Sequence, residues 1–188
     1  NSSSSSKNYI SIPHNSNLTL TKSWTIEVWV YFSSIGSNSS INPTIVSKTS
    51  PTNDNYFLWY HNSWGSAKGQ FTNDSNDALY VAIGNNTIAT GKWYHFAYVR
   101  DDSLHVQKLI IRDENKEIIA ENSYRYGELK SIPITNTYDL QIGCMFGTDG
   151  FYFDGYIDEL RISNVVREFR TTPDKQEVKS ENVIIYCD

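Results

Sequence analysis

The sequence predicts an all-β domain built from two packed antiparallel sheets or a barrel. Three observations carry this reading. About ten short runs rich in β-branched and aromatic residues recur along the 188-residue chain. Clusters of Gly, Asn, Asp, Ser and Pro separate them, and no longer stripe of apolar residues at i, i+3, i+4 competes with them.

The runs can be taken in order. "YISI" (Tyr9 to Ile12) opens the series. "WTIEVWVYF" (Trp24 to Phe32) has the clearest period of two: Ile26, Val28 and Val30 share one face, predicted as core, and Thr25, Glu27, Trp29 and Tyr31 the other. "PTIVSK" and "NYFLWYH" follow, and residues 61–77, "HNSWGSAKGQFTNDSND", read as a long connection carrying Trp64 and Phe71. After it come "ALYVAI", "WYHFAYV", "LIIRD", "EIIAE" and "DLQIG". In "YIDELRIS" (Tyr156 to Ser163), strict alternation puts Asp158 with Leu160 and Ile162, and Ile157 with Glu159 and Arg161. On that face a buried Asp158 needs hydrogen-bond donors or a cation to offset its desolvation. "NVVREF" offers a helical turn or two at most, and "VIIY" near the C-terminus reads as a last strand. The chain divides into a flexible segment, residues 1–8, and one sandwich over 9–188, of which 164–188 form a loop and a closing strand.

Charge and composition remove several function classes. Sixteen basic against twenty-one acidic residues give a net charge of −5, which offers no basic surface for a phosphate backbone, so nucleic acid is not an expected partner. No apolar run approaches the roughly 20 residues that span a bilayer, so membrane insertion is not expected. The start of the chain lacks a charged-then-apolar signal pattern. Cys144 and Cys187 can pair if the C-terminal strand returns beside "DLQIGC", or stay as two thiols.

Four stretches, "WTIEVWV", "GKWYHFAYVRD", "DLQIG" and "FDGYIDELRIS", resemble in order the laminin-G-like, concanavalin A-like lectin/glucanase superfamily over roughly residues 9–165. The tail "IDELRISNVVREFRTTP" with "ENVIIYCD" is similar to the version found in phage virion proteins and secreted bacterial surface proteins. The resemblance implies a two-sheet antiparallel jelly-roll β-sandwich and an extracellular or virion-surface location. One departure stands out: the family's Asp-Gly or Asn-Gly hairpin after the central strand is here "IIRDENKEII", without glycine, which calls for a four-residue turn over Asp113 to Lys116.

The resemblance implies recognition more often than catalysis. A pyranose presents a C–H face that stacks on Trp or Tyr and hydroxyls that bond to Asn, Asp, Gln and Arg. Candidate ligand contacts are Trp59, Tyr60, His61 and Trp64, with Trp29, Tyr124 and Tyr126 as secondary choices. Trp24 and Trp93 are set aside as core anchors at the family's strand openings. Calcium is the credible metal, since in related sandwiches the closing-strand Asp helps bind a structural calcium with backbone oxygens, and Asp158 holds the matching position. Hydrolases of the superfamily carry Glu-x-Asp-x-x-Glu on one strand; no such run occurs here, and Asp158 and Glu159 are expected on opposite faces. The expected function is a non-catalytic module binding glycan or cell-surface polysaccharide. The alternatives are a structural or protein-adhesion domain that contacts other domains of its own protein or virion, and a glycoside hydrolase.

Overall fold

The computed structural model describes residues 8–35, 42–49, 54–61, 65–73, 75, 77–84, 87–127, 133, 135–145, 151–167 and 183–187; for Asp54, His61 and residues 183–187 it describes the backbone alone. Among these residues lie β1 (Ile10–Ile12), β2 (Trp24–Ser34), β3 (Thr44–Thr49), β4 (Asp54–His61), β5 (Ser66–Thr72), β6 (Ala78–Ile83), β7 (Trp93–Asp101), β8 (Val106–Arg112), β9 (Ile118–Arg125), β10 (Leu140–Ile142), β11 (Asp154–Ser163) and β12 (Val183–Cys187). A single 3₁₀ turn, Ser16–Leu18, is the helical content of the described residues.

The strands form two six-stranded sheets, β1-β10-β3-β4-β5-β6 and β12-β11-β2-β7-β8-β9. Neighbours pair antiparallel throughout. This is the two-sheet sandwich that the alternation implies, because a strand with one apolar face must bury it against a second layer. Ile26, Val28 and Val30 of β2 face Tyr56, Leu58 and Tyr60 of β4 across the core, with Phe96 and Tyr98 of β7 beside them. Trp24 is fully buried and meets Phe71 and Tyr98 edge-on at 5.7 and 6.2 Å, a preferred geometry for aromatic pairs.

Among the buried charged residues, Arg100 and Lys48 are fully enclosed at the margins of this core. Arg100 lies 5.0–5.1 Å from the rings of Trp24, Phe71 and Tyr126 and bonds Asp102 Oδ1 at 2.7 Å and the Lys22 carbonyl, so its charge is met by ring faces and oxygens together. Lys48 of β3 donates to the Tyr138 carbonyl at 2.6 Å and to Asn136 Oδ1 at 3.2 Å, which ties the segment before β10 to the sheet.

The structure corrects the long connection expected over 61–77. Its middle, "SAKGQFT", is the strand β5, paired on both sides by β4 and β6. Small and polar residues hide its strand character, which two neighbouring ladders impose. The glycine-free hairpin between β8 and β9 is closed by Asp113. The Lys116 N–H donates to the Asp113 carbonyl at 2.9 Å, and Asp113 Oδ1 accepts from the N–H of Asn115 and Glu117 at 2.9 and 3.0 Å. Lys116, at φ 67°, takes the left-handed position that glycine holds in other such turns.

Candidate ligand-binding cleft

Strands β11, β2 and β7 are adjacent in the second sheet, and their outward faces form three cross-strand rows. In the first, Tyr156, Tyr31 and Trp93 stand side by side. Ring centroids are 5.6 Å apart for Tyr31–Tyr156, 5.7 Å for Tyr31–Trp93 and 6.5 Å for Trp93–Tyr156. The second row is Asp158, Trp29, His95 and, on β8, Arg112, with Trp29 and His95 rings 5.2 Å apart. The third is Arg161, Glu27 and Ala97.

A bulge in β11 decides which side chains reach this face. Asp158 pairs with Trp29 and Arg161 with Glu27, so Glu159 and Leu160 together oppose Val28, and Glu159 takes up the extra residue at φ 49°. Strict alternation fails there. Leu160 turns inward and is buried, whereas Asp158 is exposed beside Trp29 rather than on the face of Leu160 and Ile162. A second irregularity at Asp154–Gly155 lets β11 press close to β2: a β-carbon at Gly155 would overlap the Tyr31 carbonyl oxygen.

The result is an open cleft of about 360 Å³ lined by Trp29, Trp93, Glu114, Asp158 and Glu159. Asp158 and Glu159, expected on opposite faces, both line it. Glu114 arrives from the β8–β9 turn and is held by the Trp93 N–H, which donates to its Oε1 at 3.2 Å. Asp158 Oδ1 accepts the Glu159 N–H at 2.8 Å. Behind the cleft, Glu27 takes the Arg161 Nε–H, and Arg167 Nε stands 3.1 Å from the same oxygen. His95 Nε2 lies 4.0 Å from Glu27 Oε2. Burial, with Arg112, Arg161 and Lys116 nearby, pushes the His95 pKa down to about 3, so at neutral pH the ring is an uncharged support under Trp29.

Of the residues singled out from sequence, Trp29 and Asp158 come together here. Trp59 is half-buried on the outer face of the other sheet, 5.4 Å from the Phe57 ring and 5.5 Å from Lys68 Nζ, which also lies 4.7 Å from the Tyr80 ring. Tyr60 is core, packed on Phe32 at 5.9 Å. Tyr126 is buried against Phe71 and Arg100, and burial raises its pKa to about 12. Tyr124 is exposed on the edge strand β9. His61 ends β4, with its side chain outside the described residues, and Trp64 lies outside them altogether. Trp93, set aside as a core anchor, is instead half-exposed in the cleft. Its alternation with Tyr94, Phe96 and Tyr98 carried that signal.

Asp158 sits in water with one oxygen already engaged, and among the described residues no three His, Cys, Asp or Glu side chains converge on a metal-sized point. Cys144 lies two residues after β10 of the first sheet, its thiol 3.6 Å from Gln141 Oε1, while Cys187 is on β12 in the second. Among the described residues no helix is long and apolar enough to cross a membrane.

A family model described as the concanavalin A-like lectin/glucanases superfamily matches residues 4–169. No curated protein matches the sequence. The fold is similar to that of the Ruminococcus gnavus IT-sialidase CBM40 bound to α2,3-sialyllactose, at TM-score 0.60 and 15% identity, covering 86% of this chain and 92% of that one. It is also similar to the enzymatically active domain of bacteriophage CBA120 tailspike protein 2, at TM-score 0.65 and 11% identity over 96% of this chain and 28% of that one. A third is the heptameric SAP-like pentraxin of Limulus polyphemus, at TM-score 0.54 and 15% identity over 85% and 77%.

Proposed function

Since this chain belongs to the concanavalin A-like lectin/glucanase superfamily, we propose that it is a non-catalytic carbohydrate-recognition module whose ligand lies on the outer face of β11, β2 and β7. One observation carries the reading: four aromatic side chains, Trp29, Tyr31, Trp93 and Tyr156, share an outward sheet face that the core does not need. Rings exposed in a row offer stacking area to the C–H faces of successive sugars at low entropic cost. Beside them Glu114, Asp158 and Glu159 accept hydrogen bonds from hydroxyls.

The reading takes support from the similar fold of a module that holds sialyllactose and of a phage tailspike domain. It places the chain within a larger extracellular or virion protein, where such a module attaches its bearer to a glycan-coated surface. The test is a glycan array followed by calorimetry on the hits. Trp29→Ala and Trp93→Ala should each lower affinity about tenfold or more, at unchanged melting temperature. Wild-type affinity in both variants, or silence of the wild type on every glycan, would sink it.

The rival, a structural or adhesion domain, draws on Tyr156, which is 65% exposed and suits a protein partner equally well. Self-association that is lost in Tyr156→Ser, together with a silent array, would establish that role. Hydrolysis draws on the three cleft carboxylates, and release of reducing ends from any bound oligosaccharide would establish it.

A further inference from the structure

The cleft's lining is chemically one-sided. Among the described residues its charged groups are all carboxylates, Glu114, Asp158 and Glu159, and its remaining walls are the indoles of Trp29 and Trp93. The nearby arginines stand away from the lining: Arg161 and Arg167 hold Glu27 one row away, and Arg112 is buried on β8 beyond His95. Lys116 shares a turn with Glu114 but does not line the cleft. An indole face carries negative charge density, so it attracts cations and repels anions just as the carboxylates do.

We infer that this cleft takes a sugar bearing a free, protonated amine and turns away sugars bearing a carboxylate. The inference rests on the recognition reading above and specifies its ligand class. Size agrees with it: the carboxylates do not converge on one metal-sized point, and about 360 Å³ falls at the small-molecule end of the usual ~300–1,000 Å³ for ligand sites. A sialylated ligand, of the kind held by the similarly folded CBM40, would bring its own carboxylate against three others, with no cation among the described lining residues to receive it.

Three probes measured by calorimetry at pH 6 and low salt test this: a fully de-N-acetylated glucosamine tetrasaccharide, the N-acetylated tetrasaccharide, and 3′-sialyllactose. The free amine should bind about tenfold or more tighter than the acetamide, a difference of about 1.4 kcal/mol. Sialyllactose should not bind, and added salt should erode the preference. Glu159→Gln keeps the side chain's shape and removes its charge, so it should weaken binding of the amine more than that of the acetamide and shrink the preference; Asp158→Asn is the second variant. Sialyllactose binding at or above the amine, or equal affinities for amine and acetamide, would overturn the inference. If neutral sugars bind equally and Trp29→Ala abolishes that binding, the inference falls and the recognition reading stands. If no oligosaccharide binds the wild type, both fall.

Discussion

Arg161 of β11 stands directly opposite Glu27 of β2 and donates its Nε–H to the Glu27 carboxylate, whose same oxygen also faces Arg167 Nε at 3.1 Å. The carboxylate side chain is 6% exposed and the two arginines 19% and 15%, so little water screens the trio. Glu27→Gln would leave two guanidinium groups facing a neutral amide in a nearly dry site. Breaking one partner out of a buried pair typically costs about 3–5 kcal/mol. At roughly 2–4 °C per kcal/mol for a domain of this size, calorimetry should find a clear fall in melting temperature. Arg167→Ala should cost less, because Arg161 remains. A melting temperature unchanged in Glu27→Gln would remove this trio from the account of stability.

Trp29 and Trp59 sit on outer faces of opposite sheets, so the two cannot belong to one site. Trp59→Ala should therefore keep glycan affinity within about twofold of wild type, whereas Trp29→Ala loses it. Affinity measured on the same glycan for both variants separates the faces. Loss in Trp59→Ala alone would move the site to the sheet that carries Lys68 and Tyr80.

Much of the scaffold was legible because period two survives wherever a strand is regular. The alternation of β2 assigned Ile26, Val28 and Val30 to the core and Trp29 and Tyr31 to the surface, and each lies there. Reading failed where a rule of constant period cannot see. The extra residue at Glu159 moved Asp158 to the outer face and brought Glu159 to the same cleft. β5 was missed because its pairing partners, rather than its own residue types, make it a strand. Trp93 was misjudged because its family position outweighed its own alternation, and Glu114 joins the cleft through a turn whose approach to Trp93 is a tertiary fact.

Gly69 lies under the ring of Tyr98, with a hypothetical β-carbon 2.6 Å from Tyr98 Cγ. The ring has little room to retreat, since Tyr98 is fully buried and its hydroxyl donates to Gln107 Oε1 at 2.8 Å. Gly69→Ala should destabilise by about 1–3 kcal/mol through overpacking. Gly84→Ala is the control, because nothing lies within 4 Å of the added carbon. Urea titrations of the two variants measure the contrast, and equal midpoints would mean that the sheets separate freely at this point.

The His95 ring gives the fold a pH dependence whose sign follows from its surroundings. Glu27 at 4.0 Å would by itself favour the imidazolium, but Arg161 and Arg167 already engage that carboxylate. Burial, with Arg112, Arg161 and Lys116 adding repulsion, takes the folded-state pKa to about 3 from an ordinary 6.5. Between those values the unfolded chain binds the proton and the folded chain does not, so stability falls as pH falls from about 6.5 towards 3. The slope from this one group approaches about 1.4 kcal/mol per pH unit. His95→Gln removes the titrating group, so its loss of urea stability between pH 7 and pH 4.5 should be smaller than that of wild type. Parallel losses in the two proteins would mean that the folded ring takes up its proton as readily as the unfolded one, and that the arginine-flanked pocket under Trp29 does not exclude charge.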